Sequence, residues 1–271
     1  SGMGHLLSFT GTDTIPAIDA LEKYYGADAD KELIGGSVAA TEHSVMCSGS
    51  QDGELETFRR LITEVYPDGI VSIVSDTWDL WKVCTEYLTA LKETVLSRNG
   101  KVVIRPDSGD PVKIICGDPQ GKTAEQRKGV VELLWDIFGG SVTEKGYKHL
   151  DPHIGAIYGD SINLERAEAI CEGLKAKGFA SQVVFGIGSF TYQYNTRDTF
   201  GLAMKATYVE IGGEGRAILK KPVTDHGTKI PATGLLQVIE ENGKYVLRDN
   251  VTREEESRST LITVFRDSKL I

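Results

Sequence analysis

Short β-branched runs that alternate with stretches of helical periodicity constrain this chain more than any other feature. IVSIVS (70–75) precedes TWDLWKVCTEYLTALKETVL (77–96), and KVVIR (101–105) precedes TAEQRKGVVELLWDIFG (123–139) across a polar turn. IGAIYG (154–159) precedes SINLERAEAICEGLKAKG (161–178), and QVVFG (182–186) closes the series. A helical crossover returns the chain to the same end of a sheet, so strands spaced this way pair in parallel. The expected class is α/β, as a doubly wound sheet or a barrel. Thr123 with Gln126 three residues on predicts a capped start for 123–139, read here as one helix. Gly178 is placed to end 161–178.

After about residue 205 the texture changes. ATYVEIGG, GRAILKK, GLLQVIEENGKYVLRD and STLITVF read as short antiparallel strands, with Asn242-Gly243 as a hairpin turn. The expected division is an α/β portion carrying the site (1–205) and a β-rich segment of a smaller domain (206–271).

Composition narrows the function. The 271 residues carry a net charge of -9 without any Lys/Arg run, which argues against a nucleic-acid or anionic-membrane footprint. Local arginines and backbone amides can still hold a phosphate on an acidic protein. No apolar run approaches the ~20 residues of a membrane helix, and the N-terminus shows no signal-peptide pattern. The four cysteines are dispersed and mostly flanked by apolar residues, as reduced core thiols are. A soluble, cytoplasmic protein is expected.

Each predicted strand stops at a polar cluster: Ser75-Asp76, then Arg105-Pro106-Asp107-Ser108-Gly109-Asp110, then Gly159-Asp160, then Gly186-Ile187-Gly188-Ser189. Parallel strands put these ends on one face, where ligands bind. Any one cluster could be an N-cap or a turn, but four in register point to a site. Successive carboxylates would repel one another unless a cation, an arginine or sugar hydroxyls lay among them. Asp107 and Asp160 suit vicinal hydroxyls, as acidic residues do for a ribose. Gly188-Ser189 offers backbone N–H groups to a phosphate, with Arg197 as a bidentate partner. Upstream, Asp13 stands at a strand-to-helix junction, and His43 lies in the small-residue stretch SVAATEHS. The residues alone lead to an α/β enzyme acting on a ribose phosphate.

FTGTDT, SVAATEHS, VSIVSDTWD, IRPDSGDP, YGDSIN and FGIGSF…TRD, in this order, resemble the nicotinamide phosphoribosyltransferases of the type II phosphoribosyltransferase family. The resemblance covers nearly the whole chain, most closely Leu6 to Asp198. It implies part of an irregular TIM-like α/β barrel with a mainly antiparallel appendage, a homodimer, and Mg²⁺ bound with phosphoribosyl pyrophosphate. ATP coupled through a phosphohistidine is implied as well.

Carried onto this sequence, Asp13 would accept from the carboxamide NH₂ of nicotinamide, and Arg105 would donate to its oxygen. Ser37 and Val38 would line the base pocket. Asp107, Gly159 and Asp160 would hold the ribose hydroxyls, while Gly188, Ser189 and Arg197 would hold the 5′-phosphate. His43 would be the phosphorylated residue, with Asp76 orienting its ring. Ser189 departs from the family's more usual glycine, which crowds the phosphate but leaves the N–H. A carboxylate at Asp13 accepts from an amide and repels the carboxylate of nicotinate. The chain is expected to be an incomplete portion, needing a missing N-terminal region or a second copy to finish the pocket. A nicotinate-specific relative, or a non-catalytic phosphoribosyl-binding fragment, are the alternatives.

Overall fold

The β-branched runs form the centre of one parallel sheet in the computed structural model, which describes residues 2–188, 191, 195, 197–200, 204–224 and 231–271, nothing being described of the Arg197 and Asp198 side chains. In chain order the strands are β1 (Ala39–Ala40), β2 (Gly69–Val74), β3 (Gly100–Arg105), a hairpin β4 (Gly140–Val142) and β5 (Lys148–Leu150), then β6 (Ile154–Tyr158) and β7 (Val183–Phe185). The sheet runs β1-β2-β3-β6-β7, every pair parallel. A bridge between Gly11 and Gly36 extends it toward the N-terminus, with Thr12 N–H donating to Gly36 O at 2.9 Å. Within this sheet the strands follow chain order, the β4–β5 hairpin standing outside it. A doubly wound sheet reverses its order at a switch point; this one does not.

Register explains the apolar runs. Val71 pairs with Val102, and Ile73 with Ile104. Ile104 in turn pairs with Ala156 on β6. All are at most 1% exposed, because helices cover the sheet, and such strands need no polar alternation. Leu80, Val83, Leu88 and Leu91 from one side chain stripe, and Leu134 from another, are also sealed. Each such burial contributes about 1.5–3 kcal/mol.

Two predicted helices are interrupted. The 77–96 stretch starts at Leu80, where Asp79 accepts from Trp81 N–H at 3.0 Å and Lys82 N–H at 3.2 Å. It then passes through a π turn at Val83–Tyr87 and breaks at Leu91 before Lys92–Leu96. The 123–139 stretch has its Thr123–Gln126 capping box but splits into Ala124–Lys128 and Val130–Phe138. Gly129 sits at φ 78°, and a Cβ there would lie 2.2 Å from Gly117 N. That close backbone crossing forces the break, and apolar periodicity cannot reveal it.

The C-terminal part forms three hairpins: β8 (Tyr208–Ile211) with β9 (Glu214–Ala217), β10 (Gln237–Glu241) with β11 (Lys244–Arg248), and β12 (Phe265–Arg266) with β13 (Lys269–Leu270). Asn242 and Gly243 take φ 52° and 76°, the left-handed pair expected of that turn. Most of STLITVF is not a strand: it meets β10 around Val238, whose N–H donates to Ser259 Oγ at 2.8 Å and whose carbonyl accepts from Thr260 N–H at 2.7 Å. The part docks on the first through Lys221 N–H to Thr77 O and Val223 N–H to Trp78 O, both 2.9 Å. Cys47, Cys84 and Cys116 are buried and unpaired, and burial pushes their thiols up to about 11, 12 and 11. Among the described residues no helix is long and apolar enough to cross a membrane.

Candidate active site

Caps and site residues separate cleanly. Asp79 caps the helix at Leu80, Asp110 caps Pro111–Cys116, and Asn163 caps Leu164–Ala176, each accepting from backbone N–H groups of the first turn. Asp76, Asp107 and Asp160 are therefore extra carboxylates at the C-terminal ends of β2, β3 and β6. They are not needed to start a helix. Asp13 is also no cap: Thr14 holds that position without a side-chain bond, and Asp13 instead accepts from Ser37 Oγ.

His43 begins a short helix (His43–Ser48) and projects between two of these carboxylates. Its Nε2 lies 3.8 Å from Asp76 Oδ1 and 3.6 Å from Asp107 Oδ2. Its Nδ1 lies 3.2 Å from Thr77 Oγ1. Asp76 is fully buried, and its Oδ2 accepts from Asp107 N–H at 3.0 Å and from Ser108 O–H. Asp76 Oδ1, His43 Nε2 and Arg105 Nε are buried without a hydrogen-bond partner among the described residues. Buried polar atoms left open at one place mark where a ligand's polar groups belong.

Arg105 ends β3 and reaches across to the loop after β1, where it donates to Thr41 O and lies 3.3 Å from Glu42 Oε1. Thr41 is in turn locked by Val74 N–H donating to its Oγ1 at 2.9 Å. Its guanidinium is thus fixed between two strand ends, with Nε left over. Asp13 and Ser37 meet beside the same loop and are solvent-exposed, as is Val38. At the far end, Gly186 N–H donates to Tyr158 O at 2.9 Å, and a Cβ on Gly186 would lie 2.8 Å from Gly159 Cα. The two glycines let the ends of β6 and β7 touch beneath Asp160, which accepts from Ser161 Oγ at 3.2 Å. A Cβ on Gly188 would meet nothing within 4 Å among the described residues. Ser189 lies outside the described residues, and of Arg197 only the backbone is described, in the turn Arg197–Phe200.

The charges act together. Burial pushes the Asp107 carboxyl up, but His43, Arg105 and Lys220 outweigh it and hold the group below the usual range. The buried Tyr158 phenol is raised far above its ordinary value by burial first, then by Asp160, Asp76 and Asp107. Its O–H donates to Gly109 O at 2.8 Å, bracing the turn that presents Asp107. Among the described residues no three His, Cys, Asp or Glu side chains form a metal cage.

Sequence reasoning had passed over Thr41, Thr77 and Thr224, whose hydroxyls and carbonyls fix the charged groups. Thr41 and Thr77 adjoin the recognised motifs, which is the signal that could have found them. Thr224 carries no such signal.

The sequence has relatives. The profile of the Nicotinate phosphoribosyltransferase (NAPRTase) family matches residues 2–269. The chain belongs to that family. It is 56% identical over its full length to a nicotinamide phosphoribosyltransferase of Acinetobacter baylyi, covering 54% of that protein. It is 42% identical to one of Mycoplasma pneumoniae over 82% of the chain and 46% of the relative. It is 34% identical to one of Xanthomonas campestris pv. campestris over the whole chain and 56% of the relative. The chain spans about half the length of these curated relatives.

Proposed function

We propose that this chain carries the phosphoribosyl-binding part of the active site of a nicotinamide phosphoribosyltransferase. The supporting observation is the set of carboxylates that do no capping work, arranged around an arginine and a histidine with open buried atoms. Such an enzyme joins nicotinamide to phosphoribosyl pyrophosphate. The pyridine nitrogen attacks C1 of the ribose, the C1–O bond to pyrophosphate breaks, and pyrophosphate leaves with the electron pair. The protein's share is positioning and charge.

In this reading Asp13 accepts from the carboxamide NH₂ and Arg105 donates to its oxygen, with Ser37 and Val38 lining the base. Asp107 and Asp160 accept from the ribose hydroxyls, and Gly159 lets the sugar approach. Gly188, Ser189 and Arg197 take the 5′-phosphate. His43, held by Asp76, is the phosphoryl acceptor for ATP. Mg²⁺ bound with the pyrophosphate would assist its departure by offsetting charge. Amide over acid follows from Asp13, since two carboxylates at close range repel. The relatives named above are all nicotinamide enzymes, which favours the same choice.

The sequential strand order supports a barrel portion, and the hairpins after residue 205 support a second, smaller domain. Phe9, Ile15, Tyr24 and Leu33, in the same N-terminal stretch as Asp13, are each at least 68% exposed. That much exposed apolar surface supports a pocket finished by further chain or by a second copy in a dimer. A cytoplasmic setting suits a chain of unpaired thiols. The test is protection against thermal unfolding. Nicotinamide mononucleotide should raise the melting midpoint more than ribose 5-phosphate at equal concentration; no protection by either would remove the reading.

A further inference from the structure

The segment Lys221–Thr224 comes from the C-terminal part of the chain and touches the partners on both sides of the His43 ring. On one side, Lys221 N–H donates to Thr77 O and Val223 N–H to Trp78 O, each at 2.9 Å. Thr77 Oγ1 is the group 3.2 Å from His43 Nδ1. On the other side, Thr224 Oγ1 meets Ser108 Oγ, and Ser108 O–H donates to Asp76 Oδ2.

Counting protons gives this network a direction. A serine hydroxyl has one proton, and an ionised carboxylate can only accept. Ser108 gives its proton to Asp76, so the contact with Thr224 is a hydrogen bond only if Thr224 is the donor. The chain therefore runs Thr224 to Ser108 to Asp76. Asp107 N–H adds a second bond to the same oxygen at 3.0 Å. With both donors on Oδ2, Oδ1 is left facing His43 Nε2 at 3.8 Å. The backbone is shaped for this approach. Gly109 sits at φ 87°, and a Cβ there would stand 3.3 Å from Thr224 O.

We propose that Thr224 is a positioning residue for the His43–Asp76 pair, its hydroxyl fixing the Ser108 rotor and thereby which carboxylate oxygen faces the imidazole. The C-terminal segment is then part of the site's geometry as well as a support for it. The inference rests on reading His43 and Asp76 as a working pair, and it is independent of which base the site takes.

The test is long-range ¹H–¹⁵N NMR of the imidazoles in the 271-residue chain, at alkaline pH where histidine is neutral. His43 is assigned with His43→Gln. The wild type should hold the proton on Nε2, facing Asp76 and Asp107. Thr224→Val should shift His43 toward the tautomer mixture of a free imidazole, Ser108→Ala should do the same, and Thr224→Ser should restore the wild-type ratio. His149 and His153 should keep their spectra in every variant. An unchanged His43 ratio in Thr224→Val overturns the proposal. So does equal loss in Thr224→Val and Thr224→Ser, which would assign the effect to packing. The ligand assignment is checked separately: a wild-type chain with this tautomer pattern that fails to bind nicotinamide mononucleotide supports the clamp and removes the substrate reading.

Discussion

Asp76 Oδ1 stands 3.8 Å from His43 Nε2, and neither atom has a hydrogen-bond partner among the described residues. The carboxylate is nevertheless not loose, because its other oxygen accepts from Asp107 N–H and Ser108 O–H. A fully buried charge held on one side and open on the other is a costly arrangement unless something uses the open side. The predictions below follow from it and from its neighbours.

Asp76→Ala leaves Asp107 N–H without its acceptor, while Ser108 O–H can turn to Thr224 Oγ1. A buried donor so orphaned costs about 1–3 kcal/mol. Denaturant unfolding should show a loss in that range, with the m-value unchanged. A variant as stable as the wild type would mean that the Asp107 N–H finds water.

Arg105→Lys keeps the charge but loses the further donors of the guanidinium plane, of which Nη2 alone now reaches both Thr41 O and Glu42. Calorimetry should show binding of nicotinamide mononucleotide weakened by roughly tenfold, about 1.4 kcal/mol. Binding of ribose 5-phosphate should change much less. Equal losses for both would contradict the assignment of Arg105 to the base.

Glu54 gives a pH signature. It is 1% exposed, its Oε1 is unpartnered, and burial followed by the charge of Asp79 pushes its carboxyl up to about 8. Its folded value lies above its unfolded one, so the neutral form suits the fold. That contribution is fully present below the ordinary carboxylate value of 4.5 and is lost as pH rises through about 8. Glu54→Gln cannot ionise. It should be more stable than the wild type at pH 9 by at least about 1 kcal/mol, with the gap closing in acid. Parallel pH–stability curves for the two proteins would count against a neutral Glu54.

Gly186→Ala would place a methyl 2.8 Å from Gly159 Cα. Backbone cannot yield as a flexible side chain does, so β6 and β7 must part at their ends. Loss of nucleotide binding should exceed loss of stability, because only the strand tips move. Full binding by this variant would show that the two tips need not touch.

Much of this was readable from the sequence, for identifiable reasons. β2, β3 and β6 were legible because strands buried on both faces leave near-continuous apolar runs, whereas β7, with Val184 56% exposed, was legible from its paired valines before a glycine turn. The break at Gly129 was not, since it depends on a crossing with Gly117 that adds nothing to local periodicity. The π turn at Val83–Tyr87 likewise preserves an apolar stripe while altering the hydrogen bonding. At the site, Asp76 and Asp107 could be picked out only as polar residues at strand ends. Telling them from caps needed the bonds made by Asp79 and Asp110. Thr224 was invisible, because it reaches Ser108 across 116 residues of chain.

The most direct test of the account is calorimetric titration of this chain with nicotinamide mononucleotide and, separately, nicotinate mononucleotide, both with Mg²⁺. The account predicts that the amide nucleotide binds more tightly and that Asp13→Asn narrows the difference. Tighter binding of the acid nucleotide, or no effect of Asp13→Asn on the preference, would contradict it.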